Sequence, residues 1–103
     1  MAGFVKVARA SDIPEGEMAI VEIGGEQIVV ANVGGEFVAF HNICTHRGGP
    51  LGEGSLEGDV VECPFHGGRF NVRTGEVVSG PPEKPVRVYP VRLSGTDIEI
   101  AAD

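Results

Sequence analysis

Two short segments hold both cysteines of the chain and two of its three histidines: Cys44-Thr45-His46 and Cys63-Pro64-Phe65-His66. A cysteine and a histidine one or two residues apart on a tight loop both reach one metal centre, so two such loops supply four soft or borderline ligands. A fold that carries residues 44–46 to residues 63–66 is stapled there by metal. This matters in a chain of 103 residues, because an apolar core of that size gives only modest stability. The ligand types alone admit either one tetrahedral zinc or a diiron cluster. A Cys44–Cys63 disulfide would instead need an oxidising compartment. Residues 1–10 contain no continuous apolar core of signal-peptide length. No apolar stretch approaches the roughly 20 residues that cross a bilayer. The chain is therefore expected to be cytoplasmic and off the membrane.

Outside these segments the sequence reads as short strands between tight turns. There are 16 glycines and seven prolines, and no segment carries helical apolar periodicity. An apolar run at 4–8 ends in a turn at Pro14 and Gly16; strands then follow over 18–23, 27–33 and 36–43. The Gly24-Gly25 and Gly34-Gly35 pairs, each followed by Glu, predict a three-strand antiparallel meander, because glycine enters hairpin turns at positive φ without strain. The string GGEF at 34–37 coincides with the signature of diguanylate cyclases, whose catalytic domain is far larger than this chain, and is read as a hairpin turn. Residues 44–58 are too glycine-rich for regular structure. Further strands are expected at 59–63, 69–73, 76–78, 86–93 and 97–101, with a turn at Thr74-Gly75 and a stiff link at 80–85 built on Pro81, Pro82 and Pro85. The expected fold class is all-β, a small antiparallel sandwich or barrel.

The surroundings of the ligand pairs narrow the chemistry. CTHRGGPL at 44–51 and CPFHGGRF at 63–70, with sixteen residues between His46 and Cys63, resemble the paired loops of Rieske [2Fe–2S] proteins. That family's pattern is C-x-H, a spacer of about this length, then C-x-x-H. The match includes Thr45, the Gly-Gly-Pro-Leu continuation, Pro64 and Gly67, and the meander before and proline loop after extend it over essentially the whole chain. The resemblance implies one Rieske domain over 1–103, with a two-loop cluster-binding subdomain at about 43–51 and 62–70. It also implies one [2Fe–2S] cluster, with the Cys44 and Cys63 thiolates on one iron and the His46 and His66 imidazoles on the other. In the family those histidines lie at the surface as the entry and exit point for electrons, and Pro81 and Pro82 correspond to a loop that covers the cluster.

Departures from the high-potential respiratory and photosynthetic branch carry information too. That branch has a further cysteine in each loop, joined in a disulfide across the cluster, where this chain has Gly49 and Phe65. It also has a serine and a tyrosine hydroxyl near the cluster sulfurs, where this chain has Gly68 and Phe70. A hydrogen bond to a charged acceptor contributes roughly 1.5 to 3 kcal/mol, so each missing donor lowers the potential by roughly 60 to 130 mV. The expected value is near the low end of the Rieske range, about −150 mV.

Within the family, the chain is similar to the ferredoxin components of bacterial ring-hydroxylating dioxygenase systems. That similarity implies a one-electron carrier, itself not an enzyme, which takes electrons from an NAD(P)H-dependent flavoprotein ferredoxin reductase and delivers them to a terminal non-haem iron oxygenase, monomeric when free. A chain this short has no room for the mononuclear iron domain of an oxygenase. Two other readings stand beside it: a tightly bound small subunit, as in nitrite reductase, and a zinc-stabilised binding module. The formal charge of −7 argues against nucleic acid or an anionic membrane as partner and fits basic patches on proteins, with docking that weakens in salt. His41 is read as a strand-end histidine outside a complete ligand set. The pairs Glu15/Glu17, Glu53/Glu57 and Asp97/Glu99 are read as solvated faces. Arg47 and Arg69 are divided between orienting a partner, tuning the cluster and ordinary surface placement.

Overall fold

The computed structural model describes residues 3–43, 49–65, 67–80, 82 and 84–101. Strand β1 (Phe4–Arg9) leads through a 3-10 turn at Ala10–Asp12, where the Arg9 N–H donates to the Asp12 carboxylate at 3.0 Å. The predicted meander follows as β2 (Met18–Ile23), β3 (Glu26–Val33) and β4 (Glu36–His41). All four turn glycines, 24, 25, 34 and 35, have positive φ, which matches the right-handed twist of the strands they join. Ile20 faces Val29 across the first hairpin and Val30 faces Ala39 across the second. The chain continues as β5 (Ser55–Glu57), β6 (Val60–Glu62), β7 (Arg69–Asn71), β8 (Val77–Ser79), β9 (Val88–Tyr89), β10 (Val91–Ser94) and β11 (Asp97–Ala101).

Among the described residues all the strand pairings are antiparallel, in three open sheets ordered β1-β11-β10, β2-β3-β4-β9 and β5-β6-β7-β8. The architecture is sandwich-like; of the two forms expected, no closed barrel occurs among the described residues. β3 explains the layering. Residues 28–33 are all buried, the continuous apolar pattern of a strand covered on both faces. Ile28 and Val30 pack with Ile13, Ala39, Tyr89, Ile98 and Ile100 on one side. Val29, Ala31 and Val33 pack with Phe40, Leu51, Val61, Cys63, Phe70, Val72 and Val86 on the other. Each fully buried aliphatic or Phe side chain contributes about 1.5–3 kcal/mol, so the second core is what fixes the β5–β8 sheet and its loops to the meander.

At the end of that sheet away from Cys63, Arg73 bridges the layers: its Nε donates to Asp59 at 3.2 Å and its Nη1 donates to Glu36. Those hydrogen bonds, Glu36 first and then Asp59, raise the Arg73 pKa above its ordinary value.

Three sequence expectations are corrected. The glycine-rich stretch 44–58 contains β5 and a 3-10 turn at Leu51–Glu53; the alternation of Ser55, Leu56 and Glu57 and the positive-φ Gly58 complete a hairpin with β6. The segment 86–93 is not one strand. Pro90 cannot donate to a ladder, and the chain changes sheet there, β9 pairing with β4 and β10 with β11. The strand begun at Arg69 stops at Asn71, whose side-chain oxygen accepts the N–H groups of Arg73 and Thr74 at 2.9 and 3.2 Å and so turns the chain.

Candidate metal centre

Of the four proposed ligands, Cys63 is among the described residues; Cys44, His46 and His66 lie outside them, as do Arg47 and Pro81. Among the described residues no group of three or more His, Cys, Asp or Glu side chains comes together in a metal-holding cluster. What can be read is the frame from which the ligand loops spring, and each loop is tied at its neck.

The first loop leaves the end of β4 and returns at Pro50. Ile43 and Pro50 form an isolated antiparallel bridge, and the Leu51 N–H donates to the Asn42 carbonyl at 2.7 Å. Asn42 is 1% exposed. Its side-chain oxygen accepts the Gly52 N–H at 2.8 Å, its amide donates to Gln27 at 3.0 Å, and its backbone N–H donates to the Gln27 carbonyl at 3.0 Å. One buried amide thus secures the return strand of the loop to β3. Sequence reading did not single out Asn42; an asparagine between a strand and a glycine-rich loop is what any turn offers, and only its burial distinguishes it.

The second loop is a tight turn. The Cys63 N–H donates to the Gly68 carbonyl at 2.7 Å and the Gly67 N–H to the Cys63 carbonyl at 3.2 Å, with Gly67 at φ +72°, a conformation that costs glycine little. Directly below, Glu62 and Arg69 face each other across β6 and β7, and the Arg69 Nε donates to Glu62 at 3.0 Å. That gives Arg69 a local role at the loop neck.

The two loops meet at the Cys63 sulfur. Cys63 is 2% exposed, and a β-carbon at position 49 would lie 2.7 Å from its Sγ and 3.1 Å from the Phe65 ring. The buried Gly49 backbone therefore rests against the sulfur with no room for a side chain. The two positions that hold the bridging cysteines of the high-potential branch are neighbours here too. A third segment lies on the second loop. A β-carbon at Gly68 would fall 2.5 Å from the Pro82 ring, and one at Gly80 would fall 2.9 Å from the Gly68 α-carbon. Pro82 is buried and its ring lies against Gly68.

The remaining candidates fall away from this centre. His41 ends β4; its Nδ1 accepts the Ile43 N–H at 3.4 Å, and its Nε2 is 3.9 Å from Glu26. Glu15, Glu17, Glu53 and Glu57 are exposed, while Asp97 pairs with Lys6 at 3.4 Å and Glu99 with Arg92 at 2.7 Å. The GGEF string is the β3–β4 turn. No helix among the described residues is long and apolar enough to cross a membrane.

The packing suits an iron–sulfur centre: a buried cysteine sulfur with the Gly49 backbone so close against it that a β-carbon there would not fit. Comparison with known proteins agrees. The family described as the Rieske [2Fe-2S] domain matches residues 3–90. The biphenyl dioxygenase ferredoxin subunit of Pseudomonas sp. (strain KKS102) is 45% identical over 96 residues, covering 92% of this chain and 88% of that one. Among solved structures, the ferredoxin in a complex of reduced oxygenase and oxidized ferredoxin in carbazole 1,9a-dioxygenase superposes with a TM-score of 0.91 at 41% identity, covering 95% of this chain and 92% of that chain. The ferredoxin of carbazole 1,9a-dioxygenase from Nocardioides aromaticivorans IC177 gives 0.93 at 33% identity, covering 97% and 98%.

Proposed function

This chain belongs to the Rieske [2Fe–2S] family, and on that premise we propose that it is a cytoplasmic one-electron carrier, a single Rieske domain over residues 1–103, running between a flavoprotein reductase and the terminal oxygenase of an aromatic-ring dioxygenase system. When bound, the cluster supplies one-electron redox chemistry. The ligand assignment is Cys44 and Cys63 on one iron and His46 and His66 on the other. The observation that carries it is the contact of the Gly49 backbone with the Cys63 sulfur, which supports convergence of the two ligand loops on one point.

The described residues supply the setting. Leu51, Val61 and Phe70, all fully buried, share one apolar core with Cys63, and Pro82 lies against Gly68 of the second loop. No hydroxyl stands at 68 or 70, so no donor from those positions stabilises added negative charge. Lys6, Arg69, Arg73 and Arg92 are each paired with a carboxylate, which confines much of the positive charge locally and leaves the net −7 to face partners. Relatives of nearly the same length that are named as ferredoxin components support the free-standing carrier over a permanently bound subunit.

The test is electron delivery. Purified, coloured protein is expected to pass electrons from a dioxygenase-system reductase to its terminal oxygenase, at a rate that falls as salt is raised through the range where the Debye length drops from about 30 Å to about 8 Å. A colourless, zinc-containing protein, or one that never leaves an enzyme complex on size exclusion, contradicts the proposal.

A further inference from the structure

The place where the loops touch contains one side chain whose position the ligand assignment does not explain. Phe65 is 58% exposed, the highest of the exposed large apolar side chains among the described residues. Its ring nevertheless turns inward: the Cγ and Cδ2 atoms both lie 3.1 Å from where a β-carbon of Gly49 would be. Gly49 is buried, and the ring and the Cys63 sulfur both lie against the face of its backbone where a β-carbon would stand. The φ of Gly49 lies outside the left-handed region, so lack of room, and not backbone conformation, makes glycine the fitting residue there. A phenyl ring is well suited to pressing on a backbone, since it is large and loses few rotamers when held.

We propose that Phe65 is a positioning residue, a latch from the second loop that holds the first loop at Gly49 against Cys63. These are the two positions that a disulfide joins in the high-potential branch; here an aromatic contact makes the tie without a covalent bond. The proposal rests on the ligand assignment above, because a loop held to Cys63 matters to metal retention only if both loops carry ligands. Removing the ring weakens the tie at Gly49 by about tenfold, one decade for each 1.4 kcal/mol or so.

The experiment follows the bleaching of the visible absorption of the purified holoprotein in excess iron chelator. Four proteins are compared: the unsubstituted chain, Phe65→Ala, Phe65→Leu, and Val78→Ala as an exposed apolar control on β8. Phe65→Ala is expected to bleach about ten times faster than the unsubstituted protein, and Val78→Ala at its rate. Phe65→Leu, which keeps apolar bulk, is expected to stay within about twofold of it. A folded but colourless Phe65→Ala beside a coloured Phe65→Leu supports the latch equally. Equal bleaching of Phe65→Ala and the unsubstituted protein overturns it, and so does a Phe65→Leu as labile as Phe65→Ala. A colourless unsubstituted protein removes the cluster assignment itself and is thereby told apart from failure of the latch alone.

Discussion

Gly49→Ala isolates the close approach between Gly49 and Cys63. The added methyl would sit 2.7 Å from the Cys63 Sγ, about 1 Å inside ordinary contact at roughly 3.5–4.0 Å. The sulfur has little room to retreat, because Cys63 is 2% exposed in a core it shares with the fully buried Leu51, Val61 and Phe70 and interiors are close-packed. The backbone at 49 must lift instead, by about 1 Å, where metal–ligand distances tolerate only about 0.2 Å. Overpacking of this kind costs about 1–3 kcal/mol. Against a total stability of about 5–15 kcal/mol the domain still folds, while metal retention weakens by roughly 5- to 150-fold. The φ at Gly49 is one that alanine also adopts, so the effect is one of space alone. The assay is iron and acid-labile sulfide per chain, with far-ultraviolet circular dichroism to verify the β fold. A Gly49→Ala protein that is folded, fully loaded and as resistant to chelator as the unsubstituted chain refutes the reasoning.

Asn42→Ala strands the half-buried Gly52 N–H and removes the link to Gln27; it is expected to lower stability by about 1–3 kcal/mol in denaturant titration and to speed cluster loss, and a loss below about 0.5 kcal/mol would contradict the role given to Asn42. Phe70→Tyr restores a hydroxyl at a position where the high-potential branch has one and is expected to raise the potential from about −150 mV by roughly 60–130 mV, with an unchanged voltammogram counting against the hydrogen-bond explanation. Burial raises the Tyr89 pKa, and its hydroxyl has no hydrogen-bond partner among the described residues. Its contribution to stability is therefore complete below the unfolded value of about 10 and is lost as the pH rises through the folded one. Alkaline unfolding should become less steep in Tyr89→Phe, and because Tyr89 is the only tyrosine, phenolate absorbance reports its titration directly; a pKa at or below the ordinary value would contradict the burial argument.

The meander was legible because paired glycines leave little else for the chain to do at 24–25 and 34–35. The run at 28–33 was legible as a strand, but its continuous apolar character meant more than that: it is covered by a different sheet on each face. Strand β5 escaped notice because three residues among many glycines carry too little pattern, and its pairing with β6 is decided by tertiary contact through Leu56 and Val61. The passage between sheets at Pro90 was marked by the proline itself, yet the apolar residues on both sides favoured one long strand. In the site, residue type and spacing pointed to Cys63 and its partners. Asn42, Gly49 and Gly68 act through burial and close approach, which no local pattern encodes.

The account turns on which atoms bind which iron. Electron paramagnetic resonance of the reduced protein, with histidine labelled in its ring nitrogens and hyperfine couplings resolved, reads this directly, because under the proposed assignment the added electron would reside on the histidine-bound iron. Two coupled histidine nitrogens, lost one at a time in His46→Cys and His66→Cys, are the result expected. A signal with no histidine coupling, or a protein with no signal and one zinc per chain, would contradict it.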